Sequence, residues 1–416
     1  MRESTLMNKT KDIQDPNFDV LTAGWLHKIM VLFHKPHTWS NLQIILAGLF
    51  ISGLVSLTWY RASIPTLAMG ALGVHILFFI LDMVMLVNLP KKQLSFGPWQ
   101  SQLAALTVSR VLVSTFLTLF MMAAAPRTDL IALIVVQFVG TAAFYYGAYI
   151  EPFRLTLSEL LMFTDRLPVG LPAIRILHIT DLHIERWTRR EDEVLQIARQ
   201  TKPDLIVISG DYVNLSYNKD PETQRLVHQL LSQLSAPYGV YATLGSPPVD
   251  LRESILPIFE ELDIQLMRHD WDVIDFGDGR QLVLIGMDCT HHIPTDESRL
   301  AHLMSQAPSH LPQLLVYHSP ELMPQAAAQG IDLYLCGHTH GGQVRLPIIG
   351  PLLTSSQLGR KFVMGHYHLG RTHLYVSRGI GLEGMSAPRV RFMSPPEMTQ
   401  VIMMPGGAPE DSDELS

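Results

Sequence analysis

The chain has 416 residues, with 31 Lys and Arg against 38 Asp and Glu, a formal net charge of −7; only 17% of residues are charged and 47% are hydrophobic. A soluble globular chain carries about 25% charged residues, so part of this one is built for a solvent other than water. An acidic balance without a basic block excludes a nucleic-acid polymer as main partner, because phosphate backbones are held by clustered Lys and Arg. Two cysteines, Cys289 and Cys336, exclude a disulfide framework and a CxxC metal knuckle; both end apolar strand-like runs and read as buried thiols.

Residues 1–41 form an N-terminal segment without a signal-peptide core. In it Leu21, Trp25, Ile29 and Phe33 share one helical face, suited to an interfacial helix on a bilayer or to a helix packed on a soluble domain. Residues 42–60, 64–89, 103–125 and 130–150 are apolar runs in which only Asp82 and Arg110 are charged. A spanning helix needs about 20 such residues, so residues 42–150 read as four transmembrane helices. Lys and Arg concentrate before the first span, at Lys91 and Lys92, and after the fourth span, whereas the other two connections carry Arg61 and Arg127 alone. The positive-inside rule then places both termini, and the domain that follows the spans, in the cytoplasm. Asp82 and Arg110 fall at matching depth on antiparallel neighbours; the pattern predicts an ion pair, against the alternative of a snorkelling Arg and a protonated Asp.

Residues 151–173 read as a linker. From 174 to 404, apolar runs at 174–179, 205–209, 240–244, 282–287, 314–317, 331–335 and 373–376 alternate with amphipathic stretches at 191–200, 222–234, 253–262 and 298–304. Such alternation predicts one α/β domain, a sheet covered by helices. The tail 405–416 is Gly/Pro-rich and acidic and reads as disordered.

Aspartates and histidines stand just past the ends of these strands: Asp181-x-His183, Gly210-Asp211, His318, and Gly337-His338-x-His340. Strand-end loops are where open α/β sheets bind ligands, and two-residue spacing in extended chain points both side chains the same way. A mixed carboxylate and imidazole set suits Mn, Fe, Zn or Co.

With Gly245 between them, these motifs make the chain resemble the calcineurin-like metallophosphoesterases over residues 174 to 404, with stretches such as HTHGGQVRLP similar to the bacterial membrane-anchored branch. The resemblance implies a two-sheet sandwich with flanking helices, holding two divalent metal ions, Mn first among the choices. One ion would take Asp181, His183, Asp211 and His340; the other Asp211, His318, His338 and an Asn at position 246. Asp211 and His340 would also serve in catalysis. The chain departs from the family at one place: Ser246-Pro247 stands where Asn-His is expected, removing a ligand and the presumed general acid. Ser246 and Asp250 are therefore uncertain members of the site; Asp250, His291 and His292 have the chemistry to substitute, although nothing in the sequence places them near it, and a cap of the helix that follows is the other reading of Asp250.

Loss of a general acid matters least when the leaving group is itself a phosphate. The sequence thus implies a hydrolase of a phosphodiester or diphosphate, resembling UDP-diacylglucosamine pyrophosphohydrolases, multi-pass in a bacterial inner membrane and partnered by the bilayer and a phosphate-ester or diphosphate substrate. A degenerate phosphoesterase acting as a tethered binding or regulatory protein is the alternative. A transport role for the four spans has only two intramembrane charges in its favour.

Overall fold

The structure is a computed structural model and describes residues 35–62, 65–121, 126–384 and 387–406. The interfacial helix expected at residues 21–33 and the acidic tail beyond residue 406 lie outside the described residues. The chain divides into two compact units, one of them 24–151 with 384–392, the other 152–383 with 393 onward.

The first unit is helical: α1 (Asn41–Ala62), α2 (Pro65–Lys91), α3 (Trp99–Met121) and α4 (Pro126–Tyr145). Among the described residues these four are long and apolar enough to cross a membrane. They face outward with Leu46, Phe50, Leu54, Leu112, Phe116 and Phe138, where a water-soluble bundle would turn polar side chains out. The later segment 387–392 belongs to this unit: Arg391 donates its backbone N–H to Gly147 O at 2.9 Å, and Val390 packs on the cluster around Phe79 and Leu103.

Inside the helices, Arg110 of α3 meets Asp82 of α2 in a two-pronged pair, Nε–Oδ2 and Nη2–Oδ1 both 2.6 Å. Helix α4 supplies the remaining acceptors, Gln137 Oε1 at 2.8 Å and Thr141 Oγ1 at 2.8 Å. Asp82 is fully buried, so removing either partner strands a charge away from water. Asp82→Ala or Arg110→Ala should each lower unfolding stability in detergent by about 3–5 kcal/mol. The charge-swapped double variant should recover part of the loss; additive losses in that cycle would refute the coupling.

The second unit is a four-layer sandwich. One sheet runs in the order β1 (Thr156–Thr164), β14 (Glu397–Pro405), β2 (Ile174–Ile179), β3 (Leu205–Ile208), β4 (Val240–Ala242), β5 (Gln265–Leu266). The other runs β12 (Gly365–Leu369), β13 (Thr372–Val376), β9 (Leu333–Cys336), β8 (Gln313–Tyr317), β7 (Gln281–Met287), β6 (Asp270–Asp275). A short hairpin, β10 (Arg345–Leu346) with β11 (Gly350–Pro351), stands apart.

Strand periodicity assigns the layers, because successive side chains point to opposite faces. Ile176, Leu205, Val207, Leu314, Val316, Leu333 and Leu335 meet between the sheets. Their neighbours Leu177, Ile206 and Ile208 pack under α5 (Arg189–Thr201), α6 (Pro221–Leu231) and α7 (Arg252–Glu260). On the far side Leu315, Tyr317, Tyr334 and Cys336 pack under α8 (Ile293–Gln306) and α9 (Met323–Gln329). Both cysteines are buried and free.

Residues 151–173 are more than a linker. Strand β1 within them pairs in parallel with β14 along its whole length and turns Leu160 and Met162 into the core between the sheets. A strand directly after a long apolar run carries no local signal of the partner it finds at the far end of the chain.

Candidate metal centre

In each sheet three neighbouring strands run parallel, β2–β3–β4 and β7–β8–β9, so their carboxyl ends open on one edge of the sandwich. There the strand-end residues converge as two buried groups, Asp181 with His183 and His340, and Asp211 with His318 and His338. In each group the ligand atoms lie within 4.8 Å of one another. Asp211 Oδ2 stands between them, 3.6 Å from His183 Nε2 and 3.2 Å from His318 Nε2.

The chain makes this convergence by bending at the side chains themselves. Asp181, His183, Asp211, His338 and His340 all hold positive φ, between 41° and 69°, a conformation that costs a non-glycine residue about 1–3 kcal/mol and concentrates at functional sites. Glycines allow the close passes: a Cβ on Gly210 would strike the Gly245 backbone, and one on Gly337 the Asp181 carboxylate.

Three of the four histidines are oriented by their outer nitrogens. His318 Nδ1 lies 2.8 Å from Ser209 O, and His338 Nε2 lies 3.3 Å from Ser355 O. His183 Nδ1 faces Val213 O at 3.3 Å and Glu383 at 3.0 Å. A carbonyl only accepts, so these nitrogens carry the hydrogen and donate, which fixes the tautomer and turns the other nitrogen inward. His183 Nε2 and His340 Nε2 then stand 3.0 Å apart beside two carboxylates, and buried His318 Nε2 faces the Asp211 carboxylate at 3.2 Å. Inner nitrogens this close to one another and to shared negative charge need a proton or a cation among them, and divalent ions would replace those protons, so the residues fit a pair of such ions.

The electrostatics agree. Burial works against a charged His183, but Glu383, Asp211 and Asp181 outweigh it and raise the ring to about 9. His318 is raised to about 10, Asp211 overcoming burial. His338 goes the other way, lowered to about 4 by burial and by His291 and His318. Burial also opposes ionisation of Asp211, yet His318 and then His183 hold it below the ordinary carboxylate range.

Asp250 neither joins the ligands nor caps the helix after it. Its carboxylate accepts the backbone N–H groups of Asp211, Tyr212 and Gly245 at 2.8, 2.9 and 2.7 Å, and α7 begins after Leu251 with no side-chain cap. Asp250 thus braces the two loops that carry Asp211 and Ser246. His292 bonds Thr295 Oγ1 at 2.7 Å at the start of α8 and is no member of the clusters. His291 is brought in, 3.2 Å from Ser246 Oγ. Sequence motifs could not show this, since no recognised spacing surrounds His291; its place past the end of β7 was the only signal.

Two outcomes are expected. In metal-free protein at pH 7.5, His183 and His318 lie below their raised pKa values and are imidazolium, whereas a ligating ring is neutral. Metal uptake should therefore release about two protons, and affinity should rise with pH towards 9 to 10. Titration calorimetry in buffers of different ionisation enthalpy measures both. Asp211→Asn should remove both ions and all hydrolysis while the protein folds, whereas Asp250→Ala, which deletes only the brace, should weaken metal affinity about 10–100-fold. Metal analysis after dialysis distinguishes them.

Residues 174–342 match the calcineurin-like phosphoesterase family. The uncharacterized metallophosphoesterase YkuE of Bacillus subtilis is 28% identical over 264 residues, 61% of this chain and 87% of that protein. Phosphodiesterase YaeI of Escherichia coli is 28% identical over 271 residues, 63% of this chain and 93% of that one. An uncharacterized metallophosphoesterase of Aquifex aeolicus is also 28% identical, over 61% of this chain and 95% of its own length. Behind its four apolar helices, the chain carries a calcineurin-like metallophosphoesterase domain and is a hydrolase of phosphoester bonds.

Proposed function

We propose that the chain is a membrane-anchored phosphohydrolase using two divalent ions, Mn first and Fe, Zn or Co as alternatives, that splits a diphosphate or phosphodiester in a lipid-linked nucleotide such as UDP-diacylglucosamine. Asp181, His183, Asp211 and His340 would hold one ion, and Asp211, His318 and His338 the other. When bound, such a pair lowers the pKa of a water and clamps phosphoryl oxygens on both sides of an in-line displacement. The chain's own part is to fix the spacing through Asp211, to keep the imidazoles in one tautomer and to brace the loops through Asp250.

The leaving group follows from the same loops. Pro247 has no donor, and Asp250 is occupied by three backbone amides. A phosphate monoester departs from a diphosphate without needing a proton, so this site suits an anhydride better than an alkyl ester.

The observation that carries the lipid part is the β10–β11 hairpin. It springs from His340-Gly341-Gly342, and beyond it Ser355 O holds His338, so both of its ends touch the cluster. Its tip exposes Ile348 completely together with Ile349, and the residues just after it expose Leu352 and Leu353. An apolar patch beside a hydrolytic centre has a use if the substrate brings acyl chains or lies in a bilayer surface. The excess of Lys and Arg in alternate connections supports a cytoplasmic face of the inner membrane.

With full-length protein in detergent and Mn, kcat/KM should be highest on a lipid-linked nucleoside diphosphate, against soluble nucleotides and a chromogenic phosphodiester. Ile348→Glu with Ile349→Glu should lower the lipid activity at least about tenfold, since each buried Ile contributes about 1.5–3 kcal/mol, and leave the chromogenic diester unaffected. Equal loss on both substrates would refute the lipid contact.

A further inference from the structure

Where the family resemblance implies an amide ligand at position 246, the chain has a serine, one heavy atom shorter and without a carbonyl. The loop after β7 fills the space beside it. We propose that His291 is a ligand of the second ion, taking the place of the absent amide; this rests on the two-ion reading above.

The geometry converges on one point. Around Ser246 Oγ lie His291 Nε2 at 3.2 Å, Asp211 Oδ2 at 3.5 Å and His338 Nδ1 at 3.5 Å. Two of these three belong to the second cluster, and His291, from the sheet opposite Ser246, joins them through His338, which its own group with Glu321 shares. The His291 ring lies 4.4 Å from that of His338 and 6.4 Å from that of His318, centroid to centroid. His291 is buried, at 1% exposure, so no bulk water competes for its nitrogen.

Its support is built as well. His291, Glu321 and His338 bring ligand atoms within 4.8 Å of one another. Buried Glu321 accepts Gln357 N–H with Oε1 at 3.0 Å, while its Oε2 has no hydrogen-bond partner. The Gln357 side chain donates to His291 O at 2.6 Å, so one residue ties down both the histidine loop and the carboxylate beside it. At φ 55°, His291 shares the left-handed backbone of five other residues of the centre.

Such a site has its own chemistry. Three imidazoles with one shared carboxylate are richer in nitrogen than the set with an amide, which shifts preference from Mn towards Co or Zn at that position. A ring whose lone pair is engaged by an ion has no role in protonating a leaving group, in keeping with phosphate as the group that departs.

The test is metal content of full-length protein in detergent, loaded with Co or Mn and desalted, with Mn spin coupling as second readout. Wild type should hold two coupled ions. His291→Ala should keep one, bind the second at least about tenfold more weakly and show the spectrum of isolated Mn. Adding Ser246→Asn to His291→Ala should restore the second ion, since the amide then returns to its family position. Two ions held with unchanged affinity in His291→Ala would overturn the assignment. So would loss of both ions that Ser246→Asn fails to reverse. Wild type unable to bind two ions would instead sink the two-ion reading itself.

Discussion

One carboxylate, that of Asp211, governs the α/β unit's functional edge. It accepts the Ser246 N–H at 2.7 Å from its own sheet and meets His318 of the opposite sheet at 3.2 Å. His318 in turn reaches back to Ser209 O. Two independent sheets are thereby fixed in relative height at the place where strand-end loops would otherwise be free to drift. A buried anion at that point costs free energy unless cations or donors surround it, and the Ser246 N–H, His183 and His318 supply them. The centre is therefore paid for by the packing of two sheets, and any change that separates them disperses the ligands before it unfolds either sheet.

What the sequence discloses is the residue type at the end of each strand. Asp181, His183, Asp211, His318, His338 and His340 stand out because polar groups of this kind seldom end runs as apolar as those of β2, β3, β8 and β9, and the structure brings all six together. The inner strands were legible for the same reason. Strands β1 and β14 were not: β1 is a half-exposed edge strand and β14 an interior one, and each is defined by a partner some 240 residues away rather than by its own alternation. His291 and Asp250 were illegible for a different reason. Their roles depend on which atoms their loops bring near, and a lone His or Asp in a loop carries no trace of that.

The helical unit shows how depth can be read where motifs are absent. Asp82 and Arg110 were paired by their matching distance from one end of adjacent helices, and that pairing is present. The acceptors from α4 were not foreseen, because Gln137 and Thr141 are unremarkable in a helix until Arg110 needs them. The guanidinium has five N–H donors, and three helices are required to occupy them. An arginine in that position therefore specifies a bundle of three, not a hairpin of two.

Strand order also sets a timetable. Strand β14 lies between β1 and β2, so those two cannot pair with each other, and both wait for a strand more than 200 residues further along the chain. At ribosomal speeds of ~5–20 residues per second, β1 leaves the ribosome roughly 10–50 s before its partner exists. Through that interval the first sheet lacks its second strand, and the facing edges of β1 and β2 stay open. Long-range pairing of this kind folds slowly and is exposed to aggregation, so folding of the domain is coupled to emergence of β14 rather than to emergence of the candidate ligands. A truncation that spares every metal-binding residue but removes β14 would leave the edges of β1 and β2 unpaired.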